Sequence, residues 1–175
     1  MAGRYRSLMS FSGGVLLIIA ALAVLHRIPP AVQTNTARSF PSIEAVQNEL
    51  GMKDLPVPAY FPQEILWPPA RILAQNAPYP ATLMEFHRRE SSETVLVIIR
   101  AADRDFARND PLALQSIREQ VNHTLKGHDA LLTVGTCVNG KPCSRLAWKD
   151  KESYLFVTMR STPFELIRIA ESMVH

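Results

Sequence analysis

DALLTVGTCVNGKPCSRLAWKDKESYLFVTMR, residues 129–160, reads as three strands joined by two tight turns. Asp129–Val138 places Leu132, Val134 and Thr136 at every second position, the period of a strand with one buried face. Asn139-Gly140 is a strong hairpin signal, because both residue types accept positive φ. Ser144–Lys149 pairs back, Asp150-Lys151-Glu152 turns again, and SYLFVTMR at Ser153–Arg160 is β-branched and aromatic in the manner of a strand. Consecutive hairpins commit the sheet to antiparallel pairing.

Working outward, TVLVIIR at Thr94–Arg100 is continuously apolar, which marks a central strand covered on both faces. Ala81–Arg88 alternates and reads as its neighbour, and Arg71–Gln75 reads as an edge strand. Residues 102–110, ADRDFARND, read as a charged loop. Asp110-Pro111 then resembles an N-cap and N1 pair, and Leu114, Ile117, Val121 and Leu125 follow at spacings of three, four and four. These predict an amphipathic helix closing at Gly127. A last helix opens at Thr162-Pro163-Phe164-Glu165, the pattern of a capping box, with Leu166, Ile169, Ala170 and Met173 as its buried stripe. Ser42–Leu50 reads as a short helix ended by Gly51. The predicted class is α+β: a mainly antiparallel sheet packed with two principal helices and preceded by one N-terminal transmembrane helix.

That membrane segment is Ser7–Leu25, SLMSFSGGVLLIIAALAVL, nineteen residues without a charge. As a helix it reaches roughly 28 Å, about the hydrocarbon thickness of a bilayer. Arg4 and Arg6 precede it, so the positive-inside bias places residues 1–6 in the cytoplasm and the rest of the chain outside. Ala21-Leu22-Ala23 also has the form of a signal-peptidase site, and cleavage after Ala23 is the competing reading. Both readings deliver the same domain to the same compartment. Residues 26–41, with Pro29-Pro30, read as a linker, and residues 42–175 as an extracytoplasmic, periplasmic domain on the inner membrane. The 175-residue chain has 19 Lys and Arg against 16 Asp and Glu, and four of the cations lie at or before Arg38. The remainder is close to neutral, which excludes an electrostatic footprint for nucleic acid.

LPVPAYFPQEILWPP, residues 55–69, holds five prolines and cannot be a helix or a central strand. Its rings read either as plugs in the core or, for Tyr60, Phe61 and Trp67, as an aromatic rim for a ligand or partner. Cys137 and Cys143 flank the Asn139-Gly140 turn. In an oxidising compartment they are expected to pair as a structural disulfide; an exchangeable redox bond and metal binding are the other readings. The five histidines, His26, His87, His123, His128 and His175, have no metal-ligand spacing. The chain has no G-x-S-x-G, S-x-x-K or H-E-x-x-H motif and no Gly-rich phosphate loop. No metal, cofactor or catalytic residue is therefore expected. Glu90, Glu93, Asp103, Asp105 and Asp110, interspersed with arginines, read as a solvated surface or a docking patch.

The run GTCVNGKPCSRLAWKDKESYLFVT, followed by ELIRIAESM, resembles an uncharacterised bacterial extracytoplasmic domain. That domain stands behind single-pass anchors in membrane proteins related to sporulation and anti-sigma regulation. The matching residues are Trp148 and Asp150 in a hairpin, Tyr154 in a strand, and Glu165–Met173 in the terminal helix; Lys151 stands where that domain usually has Gly. The resemblance implies binding or regulation outside the cytoplasmic membrane, and no catalytic residue. The expected function is a membrane-anchored, non-catalytic binding or regulatory domain, its partner an envelope protein or an apolar ligand. A structural accessory subunit of a membrane complex is the alternative, and a secreted enzyme with a dispersed site the less favoured one.

Overall fold

The computed structural model describes residues 37–138 and 140–174. The segment read as a membrane anchor, the residues before it and most of the linker lie outside that range. Among the described residues no helix is long and apolar enough to cross a membrane.

One eight-stranded antiparallel sheet organises the chain, in the order β1-β2-β3-β4-β8-β7-β6-β5. Its strands are β1 (Arg38–Phe40), β2 (Arg71–Gln75), β3 (Ala81–His87), β4 (Thr94–Ala101), β5 (Leu114–Leu125), β6 (His128–Cys137), β7 (Pro142–Asp150) and β8 (Ser153–Met159). Strands β1 to β4 run as a meander. The chain then crosses over the sheet to its far edge and meanders back through β5, β6 and β7, so that β8 closes against β4. Helix α1 (Ile43–Leu50) and helix α2 (Pro163–Glu171) are the two described α-helices.

Both helices pack on one face. Phe40, Ile72, Met84, Phe86, Leu96, Ile98, Leu146, Trp148, Leu155 and Val157 meet Val46 of α1 and Leu166, Ile169 and Ala170 of α2 there. Burying each large aliphatic side chain stabilises the fold by about 2 kcal/mol before entropy is counted. Ser42 caps α1 by accepting the Ala45 N–H at 3.2 Å, and Gly51 ends it at φ +68°. Among the described residues the opposite face is covered over β3 and β4 and over the disulfide end of β6 and β7. There Leu83, Val97 and Ile99 lie beneath Phe106 and Leu112 of the crossover. Strand β4 is thus apolar at consecutive positions because both its sides are dry.

Four sequence expectations are corrected. The stretch predicted as a helix from Pro111 is strand β5. Its apolar spacing of four satisfies a period of two as well as one of 3.6, and two bulges, between Leu114 and Ser116 and between Ile117 and Glu119, absorb the odd step. Leu114 and Ile117 therefore face the open side, and Val121 and Leu125 the helix side. Gly127 is not a helix terminus: with Lys126 at φ +46° and itself at φ +90°, it forms a two-residue hairpin turn joining Leu125 to His128. Strand β2 is not an edge, because Arg38–Phe40, inside the span read as linker, pairs outside it. The capping box of α2 is not formed: Thr162 makes no side-chain cap bond, and Glu165 accepts the Tyr60 hydroxyl at 3.0 Å. The charged loop contains a 3-10 helix, Arg104–Asn109, capped by Asp103.

The bulges press β5 onto β6 at Gly135, where an added Cβ would collide with the Ser116 carbonyl oxygen. Gly135→Ala is expected to destabilise the protein by about 3 kcal/mol, read as a fall in the denaturant midpoint. At the far end of the sheet, Glu93 accepts Lys141 Nζ at 2.6 Å and pairs with Arg160. The hydrogen bond from Lys141, and the charges of Lys141, Arg160 and Arg88, hold its carboxyl below the ordinary 4.5. A depressed carboxylate stabilises the fold above its unfolded pKa and loses that contribution as pH falls through the folded value. Urea midpoints taken between pH 6 and 3 should decline more gently for Glu93→Gln than for the parent.

Candidate functional site

Beyond the crossover, the helix-free face of β5, β6, β7 and β8 is uncovered and forms a concavity of about 780 Å³. Strand register lays its floor out in three rows. The central row is Asn122, Leu131, Ala147 and Phe156, apolar except at its rim. Toward the β7–β8 turn the next row is Thr124, Asp129, Lys149 and Tyr154. On the other side run Gln120, Thr133, Arg145 and Thr158.

The third row is wired together. Gln120 donates to Thr133 Oγ1 at 3.3 Å and Arg145 Nε to Thr158 Oγ1 at 3.0 Å. Arg145 and Thr158 both donate to Asp110 Oδ2, at 2.6 and 2.7 Å, and Asp110 Oδ1 accepts the Leu112 N–H at 2.8 Å. Asp110, predicted as a helix cap, is instead a buried carboxylate that fastens the crossover to the sheet. With its carboxylate fully buried and Arg145 partly so, the ion pair holds only while both partners are present.

The first row is the chemically open one. The Arg104 guanidinium lies 4.4 Å from the Tyr154 ring centroid, and Lys149 Nζ lies 5.9 Å from the same ring. Two cations thus share one aromatic surface at the rim of an apolar floor, with Asp129 beside them. Such an arrangement suits a ligand that has an apolar body and an acidic group: the rings and aliphatic carbons take the body, and the cations take the charge.

The residues predicted as an aromatic rim are not in this concavity. Tyr60 is held on α2, where its hydroxyl donates to Glu165, its N–H to Ser172 Oγ at 3.1 Å, and Arg168 stacks 4.4 Å from its ring. Burial, and next the bond to Glu165, raises the Tyr60 hydroxyl above its ordinary 10.0. Phe61 packs between Trp67 and Phe86, at 5.4 and 5.2 Å, and Trp67 remains half exposed. The proline-rich segment therefore straps the helix face, and of its three rings Trp67 alone is exposed. Cys137 and Cys143 form a disulfide, Cα atoms 5.5 Å apart. It is not at an exposed tip: both residues are 1% exposed beneath the crossover, and Cys137 Sγ lies 3.0 Å from Leu112 O. His123, on the helix side of edge strand β5, reaches only the margin of the concavity, whereas His87 and the cysteines do not reach it. Among the described residues no group of His, Cys, Asp and Glu could hold a metal.

Sequence reasoning missed Arg104, Lys149 and Tyr154 as a cluster. Tyr154 and Lys149 were separable from ordinary surface only by their shared position across the Lys151 turn. Arg104 reaches them through the crossover, which no local pattern reveals.

In comparisons with known proteins, the chain matches no family model, no curated protein and no solved structure.

Arg145→Met leaves the Asp110 carboxylate buried and unpaired, and should cost about 3–5 kcal/mol by denaturant unfolding. The double variant Asp110→Asn/Arg145→Met should recover much of that loss; no recovery would show that the pair does not act as a unit.

Proposed function

We propose that the chain is a membrane-tethered, extracytoplasmic binding or regulatory domain without catalysis of its own, and that the open half of the sheet is its recognition surface. The observation that carries this reading is the pair of cations, Arg104 and Lys149, on the Tyr154 ring above the Leu131, Ala147 and Phe156 floor. The partner is an envelope-protein segment or an apolar ligand carrying an acidic group. Support for the tether comes from the uncharged Ser7–Leu25 run and the arginines before it. Support for an oxidising compartment comes from the pairing of the chain's two cysteines. The resemblance of the carboxy-terminal hairpin and helix to bacterial domains behind single-pass anchors points the same way.

A structural accessory role draws instead on the exposed apolar side chains. Phe164 is 75% and Val138 63% exposed, and Trp67 is half exposed, none of them in the concavity. An assembly partner would cover such side chains, whereas a small ligand in the sheet would not.

Full-length protein extracted in detergent should retain a bound ligand or co-purify with a reproducible envelope partner, identified by mass spectrometry. The variant Lys149→Glu/Tyr154→Ala should lose at least about tenfold in occupancy while keeping its melting temperature. Unchanged capture by that variant would remove the concavity from the binding surface. A periplasm-dependent reporter fused after His175 should be active; activity of a cytoplasm-dependent reporter there instead would remove the tether.

A further inference from the structure

Among the described residues β5 is the longest strand, twelve residues, and β6 is its only neighbour in the sheet. Its outer edge therefore leaves a row of backbone N–H and C=O groups without a sheet partner among the described residues. The opposite edge, β1, is three residues long. Proteins normally blunt a free edge with proline, lysine, bulges or brevity. Here the two bulges distort only the first half; from Glu119 to Leu125 the register is unbroken and contains no proline, glycine or lysine. Val121, in the middle of that regular stretch, is 45% exposed although it points to the helix side. His123, two residues on and on the same side, has a buried Nε2 without a hydrogen-bond partner.

These features are self-complementary in one register. We propose that β5 is closed by a second copy of this chain, the two β5 strands running antiparallel about a two-fold axis at Val121. Opposed residues in an antiparallel pair must share a face, so the positions that meet must sum to an even number. With Val121 opposite the partner's Val121, Gln120 meets the partner's Asn122, amide against amide, and Glu119 meets the partner's His123, acid against imidazole. The reciprocal contacts repeat both pairs across the axis. Shifting the axis to Asn122 sets Val121 against the partner's His123 and Glu119 against the buried Leu125. Shifting it to Gln120 sets Glu119 against the partner's Val121. Only the Val121 register matches apolar with apolar, amide with amide and acid with base. The resulting sheet has sixteen strands, and the two concavities lie on the same side of it, meeting at the rim formed by Gln120 and Asn122.

This pairing is separate from the ligand reading: an empty concavity leaves it standing, and a monomer leaves the ligand reading standing. The test uses the full-length chain in detergent. Sedimentation at micromolar concentration should give a dimer, and Val121→Lys, which places a charge against its own copy, should give a monomer of unchanged melting temperature. Opposed residues in antiparallel strands have Cα atoms roughly 4.5–5.5 Å apart, within disulfide range. Val121→Cys should therefore form a covalent dimer on mild oxidation at least tenfold faster than Asn122→Cys or Ile117→Cys, which the register holds too far from their own copies. A monomeric parent, a dimer that survives Val121→Lys, or equal cross-linking at the three positions would each overturn the proposal.

Discussion

The Asp110 carboxylate is the tie on which the arrangement depends. It accepts from Arg145 on β7, from Thr158 on β8 and from the backbone at Leu112, so one side chain joins the crossover to two strands that come later in the chain. The crossover is the only connection between the two meanders, and it must lie flat on the sheet for Phe106 and Leu112 to cover β3 and β4. An apolar contact alone would allow the segment to slide along the sheet. A buried ion pair with directed hydrogen bonds fixes where it stops, because a charge displaced from its partner in a dry environment is costly.

Where the crossover stops also decides where the concavity begins. The covered half of the sheet is a three-layer structure: crossover, strands, helices. The uncovered half has two layers, and its exposed side carries the mixed apolar and cationic rows. Arg104, at the start of the 3-10 helix, belongs to the covering segment yet reaches Tyr154 on the open side. The recognition surface is thus partly built by the same segment that defines its boundary.

Much of the fold was legible because short-range signals agreed with the tertiary outcome. The alternation in β3, the dry run in β4, the hairpin return from β6 to β7 and the Ser42 and Gly51 caps each have one local solution. β5 was misread because Val121 and Leu125, four apart, fit a helix and a strand alike, and because Lys126-Gly127 provides the same positive φ to a hairpin as to a helix end. Pairing to β6 overrode the helical pattern, as tertiary context commonly does. The strand β1 was too short to carry a period. The aromatic residues Tyr60, Phe61 and Trp67 stood out in sequence, yet the Arg104, Lys149 and Tyr154 cluster did not. Arg104 stands 45 and 50 residues before Lys149 and Tyr154 and meets them only through the crossover, and a single chain carries no record of such proximity.

The unequal covering of the sheet has a dynamic consequence. Backbone amides in β4, sealed from both sides and flanked by β3 and β8, can meet solvent only when the whole structure opens. Those on the free side of β5 are already wet, and the strand can fray from its hairpin without disturbing the helices. Deuterium uptake should therefore be graded laterally across the strands, not from chain end to chain end, with the most labile margin bordering the concavity. Whatever settles against that margin would slow uptake there first, so that occupancy of the surface is recorded by the backbone itself.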